Sequence, residues 1–188
     1  ASDAVFSGLT QQGTIGYQFR ETTKDFDLSG LGIGGSDFFG NAVSLDGNRL
    51  VIGAYGDDGI TNAVSAAGAF YSFTFADSAF TTATMQGIIG SGYIQGKSMN
   101  VPTLTDSDNN LGLAVSVSGN RLVVGSYLDD GINSRRPGSG AVYLYSFSDN
   151  SYSGGTLEGV IGDGYTGGKN YNQALRVSDG FGVSVSLD

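Results

Sequence analysis

The 188-residue sequence lacks cysteine and histidine, and these two absences exclude the commonest catalytic groups. Without cysteine the chain has no disulfide and no thiolate nucleophile. Without histidine the most frequent general base is missing, and no serine lies in a Gly-x-Ser-x-Gly nucleophile motif. Glu21 and Glu158 are the only glutamates. An Asp-based hydrolase stays open as a third class, but nothing marks one aspartate pair above the others. We therefore expect a protein that is not an enzyme.

Basic residues and long apolar runs are also scarce. Nine Lys and Arg stand against 18 Asp and Glu, for a net charge of -9. Binding of nucleic acid depends on basic side chains that meet phosphates, so we expect no nucleic-acid partner. No run of 18 apolar residues is present, so we expect no membrane span. Two prolines against 32 glycines indicate many tight turns, and 11 Phe with 10 Tyr indicate a folded chain.

A unit of 72 residues is written twice in this chain and begins a third time. Phe39–Leu45 recurs as Leu111–Val117 and again as Phe181–Leu187, and Gly47–Gly53 recurs as Gly119–Gly125. A repeat of this kind cannot bury its apolar face alone and needs neighbours. The predicted organisation is the degenerate end of a preceding repeat at 1–37, repeat 1 at 38–109, repeat 2 at 110–179, and the first strand of a third repeat at 180–188.

Each unit has the alternating apolar pattern of short strands. Asp46–Arg49 and Ser118–Arg121 predict hairpin turns, because Gly and Asn tolerate positive φ. Further strands are predicted at Gly68–Phe75, Thr84–Ile89, Gly140–Phe147 and Thr156–Ile161. The charged segment Arg20–Leu28 is assigned a short turn of helix.

Four antiparallel strands per repeat, each repeat leaning on the next, predict an all-β fold of β-propeller-type blades of about 70 residues. A closed propeller needs about four blades or more, so the ring is either incomplete or completed by other chains. An open sheet edge invites pairing with another chain. We therefore expect self-association or packing against neighbouring repeats of the same protein.

Two recurring pairs of carboxylates are the candidate metal ligands: Asp57 with Asp58, and Asp129 with Asp130. Paired carboxylates before a glycine could hold a cation such as calcium together with backbone carbonyls. In the alternative interpretation, one Asp of each pair caps the turn and the other faces water. No other cofactor is expected. The aromatic residues that alternate along the strands are interpreted as core residues, with a carbohydrate-stacking surface as the alternative: Phe70, Tyr71, Tyr143, Tyr145 and Phe147.

The anchors of the repeat resemble the FG-GAP repeat family in its bacterial form. The resemblance is carried by Phe39-Gly40 and Phe181-Gly182, by Gly53-Ala54-Tyr55 and Gly125-Ser126-Tyr127, and by Gly68–Tyr71 and Gly140–Tyr143; Leu111-Gly112 departs from the pattern. The family includes the propeller blades of integrin α-subunits, which carry a calcium loop between the first two strands. Here that connection is a short turn, which cannot supply the six to eight oxygens that calcium needs.

The resemblance implies a propeller blade, an extracellular location at the bacterial cell surface, and a role in adhesion or surface structure. We therefore expect a structural or adhesive repeat protein, as a segment of a large surface protein or a filament subunit. The alternative is a ligand-binding propeller module that binds a glycan or a surface receptor, with or without calcium.

Overall fold

Strands and tight turns build the ordered structure of this protein. The computed structural model describes residues 11–104 and 107–188. Its strands are β1 (Ile15–Gly16), β2 (Phe26–Asp27), β3 (Ala42–Asp46), β4 (Arg49–Ala54), β5 (Ala69–Phe75), β6 (Ala83–Gly90), β7 (Met99–Asn100), β8 (Leu111–Ser118), β9 (Arg121–Ser126), β10 (Ala141–Ser146), β11 (Thr156–Gly162) and β12 (Tyr171–Asn172). Within the described ranges the only helical element is a 3₁₀ turn at Ile132–Ser134. The predicted all-β class is confirmed.

The strands form two equivalent five-stranded sheets. The first sheet has the order β3-β4-β5-β6-β7 and the second has the order β8-β9-β10-β11-β12. In each sheet the first four strands are antiparallel, as the sequence predicts. The fifth strand is a parallel addition of two residues that the sequence pattern does not reveal: Met99 lies opposite Ile89, and Tyr171 lies opposite Ile161. These sheets are propeller-type blades left open.

The N-terminal segment repeats the outer edge of such a sheet. β1 and β2 pair in parallel, with Ile15 opposite Phe26, as β6 pairs with β7. The segment therefore has the geometry of the end of a preceding repeat, although residues 1–10 of the predicted segment lie outside the described residues. The helical turn predicted at Arg20–Leu28 is wrong. Asp27 instead accepts hydrogen bonds from Arg20 and from the backbone N–H of Ser29, which fixes β2 and the turn after it.

Both predicted hairpins are present. Asp46 pairs with Arg49, and Ser118 pairs with Arg121. The two-residue turns between them place Gly47 at φ 58° and Gly119 at φ 53°, a region that glycine enters without steric cost.

The two sheets pack face to face, and most of the core lies between them. Val51, Phe70 and Ile89 of the first sheet belong to the same buried cluster as Val115 and Val124 of the second. A second buried cluster lies on the opposite face of the first sheet, where Tyr71 and Phe73 meet Leu28 and Phe26 of the N-terminal segment. Each sheet therefore uses both faces, which explains why apolar and small residues fill both sides of its strands.

The C-terminal segment lies on the second sheet as β8 lies on the first. The bridge between Gly140 and Phe181 repeats the bridge between Gly68 and Leu111. Residues 180–188, predicted as the first strand of a third repeat, carry this bridge but no assigned strand, and the domain division stays a prediction. Apart from this bridge, residues 180–188 form no strand ladder within the described range 107–188. The described strands include no equivalent of β9 with which they could pair.

Candidate functional site: aspartate–tyrosine centres and sheet junctions

Asp57 forms the centre of a buried hydrogen-bond cluster beside the first sheet. The residue is 2% exposed. The Tyr71 hydroxyl donates to Oδ2 over 2.7 Å, and the Tyr93 hydroxyl lies 3.1 Å from both carboxylate oxygens. The backbone N–H of Gly59 donates to Oδ1 over 2.8 Å. One carboxylate thus joins the loop after β4, strand β5 and the turn after β6.

The second sheet repeats this cluster around Asp129. The Tyr143 hydroxyl donates to Oδ2 over 2.7 Å, and the Tyr165 hydroxyl lies 3.1 Å and 3.0 Å from the two carboxylate oxygens. The N–H of Gly131 donates to Oδ1 over 2.8 Å. The agreement between the two clusters shows that they belong to the repeat and not to one sheet.

Burial dominates the electrostatics of both clusters. It raises the pKa of the Asp57 and Asp129 carboxyls above the ordinary value, because the charged form loses its water. Hydrogen bonds from the tyrosines and from the glycine N–H groups oppose this shift. Burial and the adjacent carboxylate together raise the pKa of the Tyr71 and Tyr143 hydroxyls, so both remain protonated donors.

The second aspartate of each pair closes the adjacent loop. Asp58 accepts from the N–H of Ala66 over 2.7 Å, and Asp130 accepts from the N–H of Gly138 over 2.8 Å. Among residues 11–104 and 107–188, no three acidic side chains are grouped so that they could hold a metal ion. The calcium role of Asp57, Asp58, Asp129 and Asp130 stays a prediction. The observed contacts give all four a loop-fixing role.

The junction between the sheets depends on one glycine. A Cβ at Gly53 would lie well under 3.0 Å from the carbonyl oxygen of Gly112, which real Cβ atoms essentially never do. Gly125 stands in the same relation to Gly182. Each junction therefore has a point where main chain meets main chain, and only glycine fits there.

Side-chain hydrogen bonds repeat at the same junctions. Ser44 accepts from the N–H of Val117 over 3.0 Å, and Ser116 accepts from the N–H of Leu187 over 2.9 Å. At the other end of the first sheet, the Lys97 ammonium donates to the Ser151 carbonyl over 2.6 Å. Arg49 is nearly buried and bonds both the carbonyl of Gly119 and the carboxylate of Asp46.

The β3 edge of the first sheet is exposed on the face that carries the N-terminal segment. Val43 and Leu45 of β3 are 63% and 48% exposed. They line a cavity of about 420 Å³ with Phe39, Phe75 and Phe80, among other residues. The N-terminal segment lies on the same face: Leu28 packs in the second buried cluster with Ile52 of β4 and Tyr71 of β5, and Ile15 and Lys24 line the cavity itself.

The aromatic residues predicted to lie in the core do lie there: Phe70, Tyr71, Tyr143, Tyr145 and Phe147 are all buried. A different aromatic pair reaches the surface. Phe38 stacks on Tyr55 with ring centroids 4.7 Å apart and planes 7° apart, and Phe38 is 53% exposed. Nothing in the sequence pattern singled out this pair.

Sequence reasoning did not connect the tyrosines to the aspartates. A tyrosine follows each aspartate after 14 residues and another after 36. Every pair of residues retained in both repeats keeps its spacing, so this recurrence does not by itself reveal the contact.

Comparison with known proteins agrees with the fold. No curated protein matches the chain significantly. A family model described as FG-GAP repeat matches residues 32–73 and 103–145. The first segment contains β3, β4 and most of β5, and the second contains β8, β9 and most of β10; each also contains one of the aspartate pairs. With this agreement between family match and strand order, the chain belongs to the FG-GAP repeat family.

Proposed function

We propose that this chain is a structural and adhesive repeat segment of an extracellular protein at the bacterial cell surface, without catalytic activity. It serves either as a section of a large surface protein or as a subunit of a surface filament. Its partners are neighbouring repeats or further copies of itself. FG-GAP repeats are typically extracellular or surface domains, and no helix in the described residues is long and apolar enough to cross a membrane.

The observation that carries the proposal is the repetition of the junction. Gly53 meets Gly112 as Gly125 meets Gly182, and the Ser44 hydrogen bond recurs at Ser116. A sheet that joins its neighbour through the same contacts each time can extend into an array, and arrays of such units present long surfaces. The polar clusters support the same role, since Asp57 and Asp129 are buried and bonded to their own loops.

Protease treatment of intact source cells tests the location. An antibody against this chain should lose its epitope after treatment, while a cytoplasmic marker keeps its own. Retention of the epitope until the cells are lysed would contradict the proposal. Adhesion is tested separately with beads coated with the chain, which should attach to cells or matrix more than beads coated with unfolded chain.

The stacked pair of Phe38 and Tyr55 supports the alternative function, a module that binds a glycan or a surface receptor. An exposed aromatic face of this kind is suited to stacking on a sugar ring. A glycan array would then show binding that Phe38→Ala removes and that Tyr17→Ala, at a similarly exposed aromatic residue, leaves intact. Thermal melts with calcium and with chelator test the metal: a rise in Tm with calcium supports calcium-assisted binding, and equal melts contradict it.

A further inference from the structure

We propose that a cavity at the hairpin end of the junction between the two sheets binds a neutral, hydroxyl-rich oligosaccharide. We call this cavity the junction cleft. Its volume is about 790 Å³, and its lining includes Asp46, Asn48, Arg49, Asp149, Asn150 and Ser151. The proposal deepens the glycan-binding alternative and rests on it. It places the ligand away from the stacked pair of Phe38 and Tyr55, which lies at the opposite ends of β3 and β4.

The two walls of the junction cleft belong to different sheets. One wall is the turn between β3 and β4, and the other is the loop between β10 and β11. Asp46 accepts from the N–H of Gly119 over 2.8 Å, and Lys97 donates to the Ser151 carbonyl over 2.6 Å. Hydrogen bonds across the junction therefore hold both walls in place, and a site that is fixed before binding loses little entropy when the ligand arrives.

Side chains of the junction cleft have unused hydrogen-bonding capacity. Asn48 and Asn150 are exposed, and neither side-chain amide bonds to a described residue. Asp149 accepts from the N–H groups of Ser153 and Ser151 over 3.1 Å and 2.8 Å. These bonds hold the pKa of the Asp149 carboxyl below its ordinary value, so it stays an ionised acceptor. Amide and carboxylate groups together can donate to and accept from the hydroxyls of a sugar.

Charge favours a neutral ligand over an ion. Arg49 forms a salt bridge with Asp46, which leaves the negative charge of Asp149 in a chain of net charge -9, so an anion is repelled. Calcium needs six to eight oxygens, and no three acidic side chains in the described part of the chain are grouped to hold a metal ion. A neutral sugar meets neither obstacle. Phe75 also lines the cleft and adds an aromatic ring of the kind that stacks on the apolar face of a sugar.

A buried hydroxyl without a partner lies behind the junction cleft. Tyr152 follows Ser151 in the chain and is 2% exposed, and its hydroxyl makes no hydrogen bond to a described residue. Burial raises the pKa of Tyr152, which the charge of Arg49 opposes and that of Asp46 increases, so the hydroxyl lies within electrostatic reach of this ion pair. The equivalent position in repeat 1 is Phe80, so the repeat folds without the hydroxyl. An unpaired buried polar group costs stability, and a ligand hydroxyl that enters beside Arg49 supplies the partner.

Isothermal titration calorimetry of the full chain tests the proposal. The neutral probes are trisaccharides of glucose, galactose, mannose and N-acetylglucosamine. Heparin is the anionic probe, and calcium chloride is the cationic one. At least one neutral probe should bind with a Kd on the order of 1 mM or tighter, and neither charged probe should displace it.

An exposed asparagine of the junction cleft gives the first variant. Asn150→Ala removes an unpaired amide and should weaken binding of the neutral probe by about tenfold. Ser78→Ala is the matched control, because Ser78 holds the equivalent position in the loop of repeat 1, is exposed and does not line the cleft. Its affinity should equal that of the parent chain. Both variants should keep the Tm of the parent chain, since both side chains face solvent.

The buried hydroxyl gives a second variant, which separates binding from a merely structural role. Because the hydroxyl of Tyr152 has no partner in the folded chain, the Tm of free Tyr152→Phe should equal or exceed that of the parent chain, while the affinity for the probe falls severalfold. Tyr145→Phe is the control. Its hydroxyl is likewise buried and makes no hydrogen bond to a described residue, but burial alone raises its pKa, so no charge of the cleft reaches it. This control should keep both stability and affinity.

Three results would overturn the inference. They are no binding of any neutral probe up to about 10 mM, equal affinities of Asn150→Ala and Ser78→Ala, and equal affinities of Tyr152→Phe and Tyr145→Phe. Binding that Phe38→Ala removes and Asn150→Ala keeps would also overturn it, but would leave the glycan-binding alternative in place at the stacked pair. The protease-shaving experiment reports location and is independent of all these results.

Discussion

The contact between Gly53 and Gly112 predicts that one methyl group will disrupt the junction between the two sheets. In Gly53→Ala the new Cβ would lie well under 3.0 Å from the Gly112 carbonyl oxygen, and ordinary van der Waals contact begins at 3.4 Å. Gly53 is paired with a strand on each side, whereas Gly112 lies in the irregularity of β8 between Leu111 and Ala114. Because the Gly53 backbone cannot move without its sheet, the facing part of the second sheet must shift by on the order of 1 Å, which weakens dispersion contacts across the interface.

The expected loss in free energy of unfolding is about 3 kcal/mol, the upper part of the range for overpacking a well-packed core. Two matched glycines calibrate this value. Gly125→Ala makes the same overlap with Gly182, but the C-terminal segment can lift away from the second sheet, so the loss should be about 1 kcal/mol or less. Gly30→Ala meets nothing within 4 Å and needs no positive φ, so its stability should change by less than about 0.5 kcal/mol.

Urea unfolding measures all three variants. Far-UV circular dichroism reports the sheets, and tyrosine fluorescence reports the core, because the chain has no tryptophan. The midpoint for Gly53→Ala should be the lowest, with an unchanged denaturant slope. Two results would refute the reasoning: a Gly53→Ala midpoint equal to that of Gly30→Ala, or a Gly125→Ala loss as large as that of Gly53→Ala.

Three further predictions concern the polar contacts. Tyr143→Phe removes the hydroxyl that donates to the buried Asp129 carboxylate over 2.7 Å, and it should lower the free energy of unfolding in urea by about 1–3 kcal/mol. The control Tyr171→Phe, at an exposed residue, should lower it by less than about 0.5 kcal/mol. Burial raises the pKa of Asp129, so the stabilising contribution of this carboxyl is complete below the unfolded pKa of 3.8 and is lost as the pH rises through the folded pKa. The free energy of unfolding of the parent chain, measured relative to that of Asp129→Asn, should therefore fall as the pH rises, and a difference that stays constant with pH would contradict this. Lys97→Met removes the partly buried hydrogen bond from the Lys97 ammonium to the Ser151 carbonyl between the sheets, and it should lower the free energy of unfolding by about 1 kcal/mol. The control Lys169→Met, at an exposed lysine, should change it by less than about 0.5 kcal/mol. Equal losses in the two variants would contradict the bridging role of Lys97.

The strands were predictable because their signals are local. Alternation and Gly-Asn turns located β3, β4, β8 and β9, and the repeat transferred each assignment from one unit to the next. The two-residue strands β7 and β12 were not predictable, since two residues carry no period and their pairing with β6 and β11 depends on the path of the intervening loop. The helical turn predicted at Arg20–Leu28 was wrong. The charges of this segment suit a helix, but the hydrogen bonds that Asp27 accepts fix an extended strand and a turn instead.

Only part of the candidate site could be predicted from the sequence. The recurring aspartates were identified, and the roles of Asp58 and Asp130 in their loops agree with the turn interpretation. The burial of Asp57 and Asp129 was not foreseen, because a carboxylate in a glycine-rich loop ordinarily faces water. Burial is decided by the two tyrosines that reach each carboxylate, and that contact exists only after the strands have paired.

The main-chain contact at Gly53 also has a consequence for any longer row of these sheets. A carbonyl group has the same size in every residue, whereas side chains differ, so the separation of adjacent sheets at that point does not depend on which amino acids surround it. Neighbouring positions can change in evolution, and stability changes with them, but the period along the row stays constant as long as the glycine is retained.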